Sequence, residues 1–234
     1  MIKDADLIWL KANYPGLIYF PEKNILHGCL WFKMVHYPAR SISVIDPNET
    51  TNIEDGILIE DVYELEFCPD GVHSKVAVRE TAGRILRTKD KWKFKELADV
   101  HMYSDGTLCL CPTPEEKIRL LNGFNIRDFI KRLVIPYLYY QSYLEKYGKE
   151  PWKSSSHGDL GLLESYASQF PAKTPPKDIV AQYVESLTLN LKNTIVSHKP
   201  YKDENLCLCG SNKFFKNCHK EAFEGYKKLF LDYR

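Results

Sequence analysis

Seven cysteines and seven histidines are the side chains of this 234-residue chain best suited to nucleophilic or metal chemistry. Two stretches concentrate them. Asp99 to Cys111, DVHMYSDGTLCLC, carries His101, the pair Asp105-Gly106, Cys109 and Cys111. Glycine takes a positive φ at no steric cost, so Asp-Gly favours a tight turn. Such a turn brings His101 back towards the thiol of Cys109. Only a thiolate is a useful nucleophile, so a polar or cationic neighbour decides whether the thiol reacts. A buried strand cysteine is the bland alternative, and spacing alone leaves both open. The second stretch, Asn205 to Ala222, places Cys207, Cys209, Cys218 and His219 in the pattern C-x-C-x8-C-H. Four soft nitrogen and sulfur donors in two close pairs suit tetrahedral zinc. A segment this short has little core, so the metal would supply much of its folding free energy. Four filled positions leave none open, so the expected Zn2+ is structural. Redox-active thiols are the alternative, and they fit the loop residues less well.

The elements that must position these groups follow from pattern. Asp4 or Asp6 can cap a helix running to about Asn13, which Pro15-Gly16 ends. Leu17–Phe20 and Leu26–Tyr37 read as strands, the second rich in aromatic and β-branched residues. His27 and His36 fall there as edge or packing residues, and Cys29 and Cys68 read as core. Asp46 to Gly56 is a polar loop. Ile57–Phe67 alternates, with Val62, Leu65 and Phe67 set against Glu64 and Glu66. Cys68 to Ser74 is a turn. Lys75 to Leu86 reads as a further strand with Gly83 at a bend. Pro114, Glu115 and Glu116 suit a helix start. Ile126 to about Tyr147 is apolar at helical spacing through Phe129, Ile130, Leu133 and Val134, and Pro136 should kink or break it. Its tyrosines read as a packed helix face. Pro171 to Pro176 is a linker candidate, followed by one amphipathic helix over Ile179–Val196 that Pro200 ends. The expected domains are 1–170, a linker and helix over 171–200, and a zinc-binding segment over 201–234.

Composition excludes several classes. Hydrophobic content of 44% and charged content of 27% are those of a soluble globular protein. No apolar run reaches the length of a membrane span, and the N-terminal stretch is too short and acidic for a signal peptide. A net charge of +1 creates no global field towards nucleic acid. An odd cysteine count with uneven spacing argues against a secreted disulfide framework and for a reducing cytoplasm.

Gly106, Thr107, Leu108, Cys109 and Leu110 resemble the active-site segment of ubiquitin-conjugating (E2) enzymes. The asparagine of their His-Pro-Asn triplet lies eight residues before the cysteine, where this chain has His101. The triplet itself is absent, since the chain reads Asp99-Val100-His101. The pattern H-x-x-x-D-G-x-L-C-L is similar to that of bacterial E2-like proteins. So is Val78, Glu80, Thr81, Gly83, Arg84 and Ile85 upstream, and the Ser-His-Gly around His157 downstream. The cysteine cluster, with Gly210-Ser211 and Lys213-Phe214, resembles the SEC-C motif found at the C-terminus of the SecA translocation ATPase.

These resemblances imply an α+β, ubiquitin-conjugating (UBC)-like fold with an antiparallel meander and flanking helices, plus a small C-terminal zinc-binding segment. Cys109 would carry a ubiquitin-like modifier, or the C-terminus of a cGAS-like nucleotidyltransferase, as a thioester. An E1-like activating enzyme would load it, and a protein target would supply the attacking amine. The family occurs in bacterial anti-phage systems of the CBASS type and related ubiquitin-like operons. His101 would stabilise the oxyanion or orient the thiolate. Asp105 would assist the incoming amine, although it is also the natural turn residue. Cys111 is expected on the same strand face as Cys109. The alternatives are an inactive E2-like scaffold that recruits a partner through its zinc knuckle, a cysteine hydrolase pairing Cys109 with His101 or His157, and a nucleic-acid binder using Lys213, Phe214, Phe215, Lys216 and Lys220.

Overall fold

In chain order the elements are α1 (Asp4–Asn13), β1 (Leu17–Phe20), β2 (Ile25–His36), β3 (Ile42–Ile45), β4 (Ile57–Pro69), β5 (Val76–Glu80), α2 (Arg84–Lys91), α3 (Thr113–Arg119), α4 (Ile126–Phe129), α5 (Ile135–Tyr147), α6 (Gly158–Gln169), α7 (Lys177–Ser186), α8 (Leu189–Val196), α9 (Phe215–Cys218) and α10 (Lys220–Asp232). The computed structural model describes residues 2–37, 42–47, 49, 55–69, 76–120 and 123–234. The chain divides into two units, Met1–Cys111 with Arg119–Lys153, and Pro112–Ile118 with Ser154–Arg234. The chain passes between the units at 111/112, 118/119 and 153/154, so residues 154–170 group with the helices that follow them. The reason is α6, whose Leu163 and Tyr166 bury themselves in the same core as α7 and α10.

The first unit is an antiparallel sheet of order β1-β2-β4-β5, with β3 also paired to β2. β1 and β3 share one edge of β2, at residues 25–28 and 33–36 respectively, and β4 takes the whole of the other edge. Side chains alternate in and out along a strand. Leu26, Leu30, Phe32 and Met34 of β2, with Tyr63, Leu65 and Phe67 of β4, accordingly form one buried face. They pack in one cluster with Phe129, Ile130, Leu133, Val134 and Leu138 from the long helical stretch. This period corrects two expectations. Cys29 is exposed and Cys68 only half-buried, because both sit on the outward parity. Val62 also faces outward, beside Glu64 and Glu66, and Tyr63 takes the core position.

Other expectations needed revision. β4 runs on through Cys68 to Pro69, where a turn was expected; 70–74 of that turn, like Lys75, lie outside the described residues. Much of the expected loop at 46–56 also lies outside the described residues, and β3 precedes it unforeseen. The strand expected over 75–86 ends at Glu80, and Arg84–Lys91 is helix. The corner between them is built by the motif residues themselves. Gly83 sits at φ 71°, and the Glu80 carboxylate accepts the backbone N–H groups of Ala82 (2.9 Å) and Ile85 (3.2 Å). Arg84 then binds Asp61 on β4 at 2.6 Å and Glu145 on α5 at 2.5 Å, with its guanidinium 4.4 Å from the Tyr63 ring centre. Pro136 neither breaks nor ends the helix. The hydrogen bonding widens to a π-helical turn over Ile130–Val134 just before it, one of the recognised ways to accommodate a lost donor. Tyr137, Tyr139, Tyr140 and Tyr143 are buried, as a packed helix face requires. His36 packs edge-on against Trp152, ring centres 5.2 Å apart, and His27 pairs with Glu64 at 3.4 Å.

The second unit is helical. α6 and α10 approach so closely that a Cβ on Gly225 would stand 1.9 Å from the Leu163 carbonyl oxygen. The single helix expected over 179–196 is two, α7 and α8, separated at Leu187-Thr188. Asp159 holds that break by accepting the Thr188 N–H at 2.9 Å. The apolar positions Ile179, Val180, Tyr183, Val184, Leu187, Leu191 and Ile195 are all buried, so the expected face is present and the expected continuity is not. Glu115 is buried and accepts a hydrogen bond from Ser165 at 2.8 Å, rather than decorating a solvated first turn.

Candidate functional site

Cys109 lies in the first unit, on a hairpin that extends the free edge of β5. Asp105 and Gly106 make the turn, with Gly106 at φ 80°. The Tyr103 N–H donates to the Thr107 carbonyl at 2.8 Å, and the Gly106 N–H to the Tyr103 carbonyl at 3.0 Å. Asp105 Oδ1 accepts both the Thr107 N–H (3.0 Å) and the Thr107 hydroxyl (2.6 Å), which is the turn role expected of it. Only Thr107 and Leu108 are bridged as strand, Thr107 to Arg79 and Leu108 to Met102, so the expected strand-like run stops before Cys109. Leu108 anchors the hairpin to β5 through a 2.8 Å bond from its N–H to the Val78 carbonyl. Cys111 is half-buried and packs against the core cluster of this unit.

The turn does return the chain to His101, but by backbone. The Cys109 N–H donates to the His101 carbonyl at 2.8 Å. His101 itself is in the left-handed region at φ 51°, ending a 3-10 turn over Ala98–Val100. Its ring lies edge-on to Tyr140, centres 5.3 Å apart. From α5, the Tyr137 hydroxyl donates to the carbonyls of Val100 (3.0 Å) and His101 (3.2 Å), and the Gln141 amide to Val100 at 2.8 Å. Buried polar groups are costly unless satisfied. Tyr137 and Gln141, one helical turn apart, therefore fix the backbone under Cys109 from the core side.

The thiol of Cys109 is half-buried. Burial pushes the Cys109 pKa above the ordinary cysteine value, and the Tyr103 hydrogen bond pulls it part of the way back. Burial, and the proximity of Cys109, raise the pKa of Tyr103 in turn, so at neutral pH it remains a donor. Sequence reasoning missed Tyr103, Tyr137 and Gln141. The signal available was the spacing of Tyr137 and Gln141, four residues apart on one face of the helix. His157, expected as a possible site residue, belongs to the second unit, where it occupies the N-cap position of α6 with an exposed side chain.

The second cluster lies at the C-terminal end of the second unit. Cys207, Cys209, Cys218 and His219 bring their ligand atoms within 4.8 Å of one another, so the four could hold a metal ion. Cys207 Sγ is 3.1 Å from His219 Nδ1, and the Cys209 and Cys218 sulfurs are 3.6 Å apart. A two-stranded knuckle presents the first pair. The Cys207 N–H donates to Lys213 (2.8 Å), the Phe215 N–H to Asn205 (2.9 Å), and the Gly210 N–H turns back to Cys207 (3.2 Å) with Gly210 at φ 74°. α9 presents Cys218, and the chain breaks between α9 and α10 at His219. Phe215, fully buried against Phe223 with ring centres 5.4 Å apart, anchors α9. Hydrogen bonds from Ser211 lower the Cys209 thiol to about 6, whereas burial pushes Cys207 up to about 11. Lys216 of the expected basic patch is paired with Asp203 at 3.0 Å. Among the described residues no helix is long and apolar enough to cross a membrane. Comparison of the chain with protein-family models, curated proteins and solved structures gave no match.

Proposed function

We propose that this chain is an E2-like acyl carrier that holds a ubiquitin-like modifier, or the C-terminus of a cGAS-like nucleotidyltransferase, as a thioester on Cys109. The observation that carries the reading is the setting of Cys109, a half-buried thiol just past an Asp-Gly hairpin on the sheet edge. The order of elements in the first unit, a helix, an antiparallel sheet, the short helix α2, the thiol-bearing hairpin and then a long helical stretch, is the support for a UBC-like fold. The motif residues Glu80, Gly83 and Arg84 support it further, because each has a definite structural task at the β5–α2 corner.

The chemistry is two acyl transfers. The Cys109 thiolate attacks the carbonyl of an incoming thioester, a new S–C bond forms, and the activating enzyme's thiolate departs with the electron pair. An amine then attacks the Cys109 thioester, loses a proton, and expels Cys109 as thiolate. A thiol with a raised pKa is a poorer leaving group than an ordinary one, which slows hydrolysis and aminolysis of the loaded form alike. The Cys109 N–H is spent on the His101 carbonyl, so the oxyanion takes its donors from elsewhere. The partners are an E1-like activating enzyme, the modifier and a protein target; the cellular setting is bacterial anti-phage defence in the cytoplasm.

Zinc is the metal proposed for the second cluster. In a tetrahedral site with Zn–S of about 2.3 Å, sulfurs stand about 3.8 Å apart, close to the 3.6 Å between Cys209 and Cys218. Cys207, Cys209, Cys218 and His219 would hold it as a structural ion, rigidifying the knuckle. A second reading, a scaffold that recruits a partner through the knuckle, draws on Leu206 and Phe214, which are about half exposed there. The test is to combine the full chain with the activating enzyme and modifier encoded beside it, with ATP. A thiol-reducible adduct supports the carrier; its absence, with noncovalent binding retained, supports the scaffold.

A further inference from the structure

We infer that Tyr137 is a positioning residue for acyl transfer at Cys109, acting through the backbone of His101. The inference rests on the acyl-carrier reading of Cys109 and adds a residue that no motif points to. The path is short and continuous. The Tyr137 hydroxyl donates to the Val100 carbonyl at 3.0 Å and to the His101 carbonyl at 3.2 Å. The same His101 carbonyl accepts the Cys109 N–H at 2.8 Å. Two donors thus meet on one oxygen, one from the core helix α5 and one from the residue that carries the thiol. A carbonyl oxygen has two lone pairs, so both bonds fit at once.

The oxygen they share belongs to a residue that needs holding. His101 has a left-handed backbone, φ 51° and ψ 52°. Any side chain with a Cβ disfavours that conformation, and it persists only where the surroundings fix it. The His101 N–H is bonded to Ala98 at 2.8 Å, and Tyr137 and Cys109 tie its carbonyl. Tyr137 is itself buried in the core of the first unit, so its hydroxyl is a fixed point. Gln141, one turn further on, donates to Val100 at 2.8 Å and supports the neighbouring carbonyl. On the other side Leu108 is bonded to Val78 of β5 at 2.8 Å. The backbone that presents the thiol is therefore pinned between the sheet edge and α5. Reacting groups must be held within a fraction of an ångström, and a small misplacement lowers a rate far more than it lowers stability. Without the Tyr137 hydroxyl the His101 carbonyl is free to turn, and Cys109 follows through its N–H.

The test uses the full chain, loaded on Cys109 by the cognate activating enzyme, with free lysine as the acceptor amine in single turnover. Tyr137→Phe removes only the hydroxyl. The maximal transfer rate should fall about tenfold, the scale of one lost hydrogen bond. Half-saturating lysine should be unchanged, and the Cys109 amide should exchange its hydrogen faster. Gln141→Met leaves the His101 carbonyl held and should slow transfer less. Tyr139→Phe is the matched control, because the Tyr139 hydroxyl donates to the Ile57 carbonyl at 2.8 Å from another buried position on the same helix. It should lose comparable stability in urea and transfer at the wild-type rate. Equal slowing in Tyr137→Phe and Tyr139→Phe, or an unchanged rate in Tyr137→Phe, would overturn the positioning role while the acyl-carrier reading stands. A wild-type chain that forms no thiol-reducible adduct would overturn the acyl-carrier reading, and the positioning role with it.

Discussion

The Cys109 hairpin and the Cys207–His219 knuckle are both short, largely irregular segments built around cysteine, yet they treat the thiol in opposite ways. In the knuckle four donors converge within 4.8 Å, and the thiols are one another's neighbours. On the hairpin the Cys109 backbone is bonded to His101, whose carbonyl is held from below by Tyr137. The four convergent donors could hold a metal ion, and such an ion would supply rigidity to a short segment. The two units differ in the same sense. The first is organised by a sheet and its buried face, and the end of the second by four side-chain donors and one buried phenylalanine.

The contrast is broken most severely at the metal. Cys218→Ser should lower the metal content of protein purified without added metal from one ion per chain to nearly none. Structural zinc is worth about 10 kcal/mol or more in small peptides, so amide protection over 205–219 should collapse. Protection across β2 should persist. Loss of protection in both units together would contradict their separate means of stabilisation.

A smaller effect is expected in the first unit from Arg84→Ala, which strands Asp61 and Glu145 without their shared cation. Removing one partner of a largely buried ion pair costs about 3 kcal/mol, measured by urea unfolding at pH 7. The pH dependence follows from Asp61, whose carboxyl Arg84 and Ser142 hold below the usual carboxylate range. A depressed folded pKa gives stability that is present above the unfolded value, near 4, and is lost as pH falls through the folded value. The difference between wild type and Arg84→Ala should therefore shrink below about pH 4. A constant difference down to pH 2 would place the effect in packing over Tyr63 instead.

The smallest effect sharpens the reading of the hairpin. Asp105→Ala removes the two bonds to Thr107 and should cost about 1 kcal/mol locally, seen as faster hydrogen exchange at Thr107 and Leu108. If Asp105 serves the turn alone, the pH profile of amine transfer keeps its shape. A lost alkaline or acid limb would give Asp105 a role in proton transfer as well.

Much of this was legible in the sequence wherever one period decided the outcome. The 3.6-residue period marked Phe129, Ile130, Leu133 and Val134 as core, and Asp105-Gly106 marked the turn. The cysteine and histidine spacing marked all four members of the Cys207–His219 cluster, because their chain separations are local. Residues with two permitted environments were misread. Cys29 and Cys68 are apolar enough for a core, yet strand parity alone faced them outward. Leu187 continues a helical pattern while its backbone is extended, since Asp159, distant in sequence, captures Thr188. Tyr137 was hidden for a related reason. A tyrosine reads as packing until the fold shows which atom its hydroxyl reaches.

The central claim is that Cys109 alone carries the acyl group. It is tested most directly by loading Cys109→Ala and Cys111→Ala side by side with the cognate activating enzyme, modifier and ATP, and resolving the products on non-reducing and reducing gels. The account predicts no reducible adduct for Cys109→Ala, a normal one for Cys111→Ala, and a reduction-resistant amide for Cys109→Lys. An adduct that persists in Cys109→Ala and disappears in Cys111→Ala would contradict it.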